Sequence, residues 1–152
     1  MGNRAVIMNK DMTLGIYVHW NGGIDSVTAF LKYCDLAGYR GFPDDYGVAR
    51  LAQVIGNWFG SDGLSVGITS HPLTWINGCD NGGYIVEGWK ITRHVDVEDT
   101  YNDDGELIDR KVVDFPYDNH EGYDLLEMLL SIDECQPYKL GEAEIRKAII
   151  GG

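Results

Sequence analysis

Positive charge is scarce in this chain of 152 residues. Lysine and arginine together number 12 against 24 aspartates and glutamates, which gives a formal net charge of −12. An excess of negative charge repels nucleic-acid phosphates and anionic membrane surfaces. The composition therefore argues against direct nucleic-acid or membrane binding and favours a partner protein with a basic surface.

Cysteines are also few, and the three of them are far apart in the sequence. Cys34, Cys79 and Cys135 form no Cys-x-x-Cys pair, which argues against a zinc knuckle or a redox motif. No apolar run approaches the length of a membrane span, and the first residues lack the apolar core of a signal peptide. We expect a cytoplasmic protein that carries no metal and no other cofactor.

The negative charge is unevenly distributed along the chain. Residues 1–95 hold 8 acidic and 7 basic residues, whereas residues 96–152 hold 16 acidic and 5 basic residues. The length and the hydrophobic content of 44% fit one globular domain over residues 1–152. That domain has a near-neutral front (1–95) and an acidic back (96–152).

The order of hydrophobic patterns predicts an α+β fold with a mostly antiparallel sheet. Segments Ala5–Met8 and Leu14–Trp20 are rich in β-branched and aromatic residues and predict a first hairpin. Two helices follow that hairpin, one ending near Ala37 and the other near Phe59.

The later part of the chain predicts more strands and then helices. A strand-like pattern runs from 83 to 115, and Asn102–Gly105 is typical of a hairpin turn. A third helix is predicted to begin at Asp118 or Asn119 and to end near Glu134. A short helix over 142–150 follows it.

The strongest candidate site is the turn His19-Trp20-Asn21-Gly22-Gly23. Here a strand ends in an imidazole, an indole and an amide, and a helix is expected to begin directly afterwards. Unpaired N–H groups at that helix start could bind an anion, and His19 could act as an acid or base near neutral pH. The alternative is a packed turn with no ligand.

Arginines are notable in the near-neutral front because it contains so few charges. Arg4 and Arg50 lie in apolar surroundings, where a guanidinium often binds a carboxylate or a phosphate. Internal ion pairs with Asp25, Asp44 or Asp45 are the alternative. The loop Cys79–Gly83 lacks metal-site spacing and is expected to be a turn.

Acidic residues recur at three- and four-residue steps around the expected start of the third helix. On a helix this spacing would place them on one face, in a stripe resembling a nucleic-acid phosphate track. A plain solvated face is the alternative. The residues of this acidic partner face are Asp114, Asp118, Glu121 and Asp124.

The opening Asn3–Ile7, followed by Ile16–Gly23, resembles a group of uncharacterised small proteins of phages, plasmids and integrated elements in Firmicutes. Its wider members carry a similar Arg-Ala-x-Ile strand and a His-Trp-Asp-Gly turn, whose Asp is Asn21 in this chain. Segments Tyr46–Leu51 and Asn57–Gly60 also fit the narrower group. The resemblance covers about the first half of the chain and implies a mobile-element origin in a bacterial host.

Three functional hypotheses follow. The first is a non-catalytic counter-defence protein that binds a basic surface of a host immune effector, such as a CRISPR nuclease. The second is a protein that sequesters a nucleotide signal, with aromatic side chains such as Trp20, Tyr17 or Trp75 stacking on the base and Arg4, Arg40 or Arg50 binding the phosphate. The third is a small hydrolase that uses His19. The residues expected to bind a ligand or partner are Arg4, His19, Trp20, Asn21 and Arg50.

Overall fold

The structure is a computed structural model that describes residues 2–151, except for the side chains of residues 61–63. Its six strands are β1 (Ala5–Met8), β2 (Gly15–Val18), β3 (Val66–Thr69), β4 (Gly83–Glu87), β5 (Lys90–Tyr101) and β6 (Leu107–Asp114). Its five α-helices are α1 (Ile24–Leu36), α2 (Asp45–Phe59), α3 (Pro72–Ile76), α4 (Leu125–Glu134) and α5 (Glu142–Ile150). A 3-10 turn, Gly60–Ser65, joins α2 to β3.

All six strands form one sheet in the order β3-β2-β1-β4-β5-β6. Four of the neighbouring pairs are antiparallel, and the central pair β1–β4 is parallel. The expected α+β class with a mostly antiparallel sheet is therefore confirmed. Because β5 begins in the near-neutral front and ends in the acidic back, both parts of the chain contribute to the same sheet.

The two faces of the sheet are covered unequally. Alternate residues such as Ile7, Ile16 and Tyr84 join the large core that also contains side chains of α1, α2, α4 and α5. Residues between them in sequence, such as Val6 and Met8, pack in a smaller cluster beneath α3. The α3 face is thus the thinly covered side of the sheet.

The hairpin of β5 and β6 extends beyond the rest of the sheet. Strand β4 pairs with β5 only as far as Val95, and from there to Tyr101 the pairing of β5 is with β6. We call residues 96–113 the arm. It is fixed to the α3 side midway along its length, because Asn77 Nδ2 donates to Asp99 at 3.0 Å and Arg110 Nη1 donates to Thr74 at 3.4 Å.

The predicted start of the third helix is wrong. Helix α4 begins at Leu125, and Asp124 caps it by accepting a hydrogen bond from the Glu127 N–H. The preceding segment is irregular, and Gly122 has φ +86°, a left-handed conformation that interrupts a helix. The short helix α3, which the sequence reasoning missed, begins with Pro72 in its first turn.

No helix among residues 2–151 has both the length and the apolar character needed to cross a bilayer.

Candidate functional site

The predicted turn after β2 is held by contacts of its own side chains. His19 Nδ1 lies 2.8 Å from the Tyr17 hydroxyl, and the His19 ring meets Trp20 edge-on at 4.9 Å between centroids. Asn21 has φ +56° and donates to the Ser26 hydroxyl at 3.2 Å. Asparagine and aspartate tolerate this left-handed conformation better than most residues. The backbone conformation at position 21 therefore suits the asparagine.

The N-terminus of α1 is already occupied by a carboxylate of the same chain. Glu121 Oε1 accepts from the Ser26 N–H at 3.1 Å, and its Oε2 accepts from Asn3 Nδ2 at 2.7 Å. Gly23 is required at this point, since a Cβ on it would collide with the Glu121 side chain. The predicted anion position exists, and Glu121 fills it.

A second carboxylate at the same helix start binds the backbone of the segment after β6. Asp25 Oδ2 accepts from the N–H groups of Glu121, Gly122 and Tyr123, and its Oδ1 lies 2.8 Å from His120 Nδ1. Burial acts to raise the pKa of Asp25, but these hydrogen bonds outweigh it and the pKa is lowered overall. The His120 pKa is raised by its hydrogen bond to Asp25.

Beneath this helix start lies a chain of buried polar groups that no sequence pattern connects. Asn119 donates to Tyr84 Oη at 2.6 Å and to Asn81 Oδ1 at 2.7 Å, and Tyr84 donates to the Gly22 carbonyl at 2.6 Å. His94 stacks on Tyr84, and burial lowers its pKa. These contacts fix the segment after β6 against β4 and the turn, so the His19–Gly23 region is part of a rigid structural junction.

The two predicted arginines occupy different surroundings. Arg4 is half-exposed, and its Nε pairs with Asp80 Oδ2 at 3.3 Å, a partner the sequence reasoning did not consider. Arg50 lies half-buried on α2, and the described residues offer it no ion pair within 4.0 Å. Arg4 lies next to the His19 turn, since its neighbour Asn3 donates its N–H to the His19 carbonyl at 2.9 Å, whereas no hydrogen bond among the described residues joins Arg50 to that turn.

The four acidic residues of the predicted partner face do not lie along one helix. Asp114 is at the end of β6 and pairs with Arg93 at 2.9 Å, while Asp118 is exposed in the irregular segment. Glu121 and Asp124 serve the starts of α1 and α4. A stripe at helical spacing is absent because no helix spans 114–124.

A second exposed acidic surface lies on the arm, where the sequence predicts a hairpin turn at Asn102–Gly105. Its exposed acidic residues form no salt bridge among the described residues, whereas Asp99 is paired with Arg110 at 2.6 Å. The acidic residues are visible in the sequence of both strands, but only the pairing of β5 with β6 shows that they lie on one hairpin. They are Glu98, Asp103, Asp104, Glu106 and Asp109.

Within the described part of the chain, no group of three or more His, Cys, Asp or Glu side chains is arranged to hold a metal ion. Cys34 is buried and burial raises its pKa, which makes it a poor nucleophile. His19 contacts a tyrosine rather than a nucleophile or a carboxylate, so its geometry is that of a packed side chain.

Comparisons with protein-family models, curated proteins and solved structures gave no match for this chain.

Proposed function

We propose that this chain is a non-catalytic inhibitor carried by a mobile genetic element, which covers a basic surface of a host immune effector such as a CRISPR nuclease. It acts in the cytoplasm of the bacterial host, where such effectors are found. The observation that carries this proposal is the arm, an acidic two-stranded element that extends beyond the sheet.

Charge on the arm is unbalanced and directed at solvent. Residues 96–113 contain seven acidic and two basic residues, and one of the two bases, Arg110, is already paired with Asp99. Charges concentrated on a projecting element steer a protein of opposite charge and speed its association. The local field of the arm therefore suits a basic groove.

Apolar side chains on the same element supply a second requirement of a protein interface. Tyr101, Leu107 and Ile108 are 51%, 45% and 61% exposed. Interfaces gain affinity from desolvated apolar and aromatic contacts, while charge mainly sets specificity and association rate. An arm used only to keep the protein soluble would not need three exposed apolar side chains near its tip.

The test is inhibition of purified nucleic-acid-cleaving effectors from Firmicutes by the chain and by an arm variant. The arm variant carries Glu98→Gln, Asp103→Asn, Asp104→Asn, Glu106→Gln and Asp109→Asn. We expect the wild-type chain to block cleavage by at least one effector, with inhibition weakening as salt rises, and the arm variant to lose at least about tenfold in potency.

A matched control removes the same number of charges elsewhere. Five exposed acidic residues outside the arm serve for this: Asp11, Asp45, Glu87, Glu134 and Glu144. Since both variants have the same net charge, equal losses of inhibition in the two would contradict a role for the arm. Absence of inhibition across the effector panel would contradict the proposed function.

A further inference from the structure

A cleft on the thinly covered face of the sheet lies between α3, the start of β1 and β2. Its volume is about 240 Å³, and its walls include Arg4, Tyr17, Thr74, Trp75 and Asn77. Drug-sized ligand sites enclose roughly 300–1,000 Å³. This cleft is smaller, so it fits a single planar ring system better than an extended ligand.

Two aromatic side chains form one wall of the cleft. The rings of Tyr17 and Trp75 lie 4.9 Å apart between centroids with their planes inclined by 49°, so Trp75, which is 48% exposed, supplies the stacking face. The position of the Tyr17 ring is fixed by its hydroxyl group, which lies 2.8 Å from His19 Nδ1. An exposed indole supported by a second ring is a stacking platform for a flat heteroaromatic ligand.

Arg4 lines the same cleft as Tyr17 and Trp75. Asp80 accepts from both the backbone N–H and the Nε of Arg4, so it orients the group. The Nη1 and Nη2 atoms have no hydrogen-bond partner among the described residues. They form a planar pair of donors of the kind that binds the two acceptors on the edge of a guanine base.

The charges around the cleft argue against a polyphosphate ligand. Asp80 neutralises Arg4, and Asp99 neutralises Arg110 on the other side of Asn77. The chain as a whole carries −12. Arg4 would therefore bind a ligand through directed hydrogen bonds rather than through net positive charge. Such bonds select the base, and added phosphates should not increase the affinity.

We propose that this cleft binds a keto-purine base, with the ring stacked on Trp75 and the O6 and N7 acceptors of the base on the Nη atoms of Arg4. The cleft adjoins the arm through Thr74 and Asn77, but its test changes Arg4 and Trp75, which make no hydrogen bond to the arm among the described residues, so the result for guanosine does not decide the proposed inhibitor function. The same base can come from a free nucleoside or from a nucleotide, and the two sources are separable by titration.

The experiment is calorimetric titration of the full chain with guanosine, adenosine, guanosine monophosphate and guanosine triphosphate. We expect guanosine to bind, and adenosine to bind about tenfold or more weakly because its 6-amino group opposes the Arg4 donors. The triphosphate should bind no more tightly than the nucleoside. A triphosphate that binds far more tightly, or adenosine that binds as well as guanosine, would overturn the proposed recognition.

Variants test the two contacts separately. Arg4→Gln and Trp75→Ala should each weaken guanosine binding by about tenfold or more. Arg4→Lys should fail to rescue, since lysine lacks the planar donor pair, whereas Trp75→Phe should retain part of the affinity. The controls are Arg93→Gln, another exposed arginine paired with an aspartate, and Tyr138→Ala, an exposed aromatic residue that does not line the cleft.

Both control variants should bind guanosine as the wild-type chain does. Because Arg4 and Trp75 are partly exposed, their variants are expected to fold, and circular dichroism checks this. No heat of binding with guanosine at millimolar concentration, or unchanged affinity in Arg4→Gln and Trp75→Ala, would refute the site.

Discussion

Glu121 occupies the position at which an anionic ligand would meet helix α1. Its carboxylate accepts hydrogen bonds from the Ser26 N–H and from Asn3, so the positive end of the helix is satisfied within the chain. The sequence predicts that Glu121 faces a partner. In the structure it instead joins the segment after β6 to the first turn of α1.

Replacing Glu121 with glutamine should lower the free energy of unfolding by about 1 kcal/mol, because the helix start loses a full negative charge. Urea denaturation of Glu121→Gln measures this. Asp118→Asn is the control, since Asp118 is exposed on the same segment and makes no hydrogen bond among the described residues. Equal destabilisation by the two changes would show that the effect is general charge loss rather than the helix contact.

The pair Asp25–His120 makes stability depend on pH in two directions. The raised pKa of His120 means that its contribution is complete below its ordinary value of 6.5 and is lost as the pH rises through the raised value. The lowered pKa of Asp25 means that its contribution is complete above 3.8 and is lost as the pH falls through the lowered value. Both contributions are present together between those two ordinary values.

When the pH is raised from about 5 to about 9, the His120→Asn variant should therefore lose less stability than the wild-type chain. The measurement is the urea midpoint at several pH values for the wild-type chain and the variant. His71→Asn, a change of another exposed histidine, should leave the wild-type profile unchanged. A His120→Asn profile that follows the wild-type curve across this range would refute the role of the pair.

Among the elements, the arm is held in position by contacts of Asp99, which lies midway along it. Asp99 accepts from Arg110 through both carboxylate oxygens, at 2.6 and 2.8 Å, and also accepts from Asn77. These hydrogen bonds tie β5 to β6 and the arm to α3. Beyond these contacts, each strand of the arm has backbone hydrogen bonds only to the other strand of the hairpin. We therefore expect the arm to open before the rest of the sheet.

Asp99→Asn should accelerate amide hydrogen exchange in the arm while leaving β1 and β4 protected. Loss of the charge weakens the two hydrogen bonds from Arg110, and the central strands are held by the core instead. Exchange measured by mass spectrometry resolves the two regions. Asp109→Asn, on the same arm but unpaired among the described residues, should have little effect, and acceleration spread over β1 and β4 would contradict this account.

Local patterns in the sequence were sufficient for most elements of the fold. The apolar stripe with Val48, Leu51 and Ile55 identifies α2, and these residues are buried as that pattern requires. The segment before α4 could not be assigned correctly from capping residues, since its conformation is set by distant hydrogen bonds to Asp25. Gly122 was the one local signal there against a helix.

The candidate site was less accessible from sequence than the fold. Arg4, Tyr17 and Trp75 are scattered along the chain, and only the antiparallel pairing of β1 with β2 and the placement of α3 bring them to one cleft. The ion pair of Arg4 with Asp80 crosses 76 positions of sequence. Contacts of that kind have no periodic or compositional signature from which they could be derived.

On the scale of the whole molecule, the acidic charge divides into two groups with different roles. Asp99, Glu121 and Asp133 are part of the fold, since each accepts hydrogen bonds that join separate elements. The exposed acidic residues of the arm make no comparable internal contact among the described residues. We therefore assign a structural role to the first group and propose that the second group binds a partner.

The measurement that tests this proposal most directly is native mass spectrometry of three tagged proteins after incubation in a Firmicutes host lysate. They are the wild-type chain, the arm variant and the control variant that loses five acidic residues elsewhere. We predict that the wild-type and control proteins gain the mass of the same protein partner and that the arm variant does not. Equal gains in all three, or no added protein mass on the wild-type chain, would contradict the proposal.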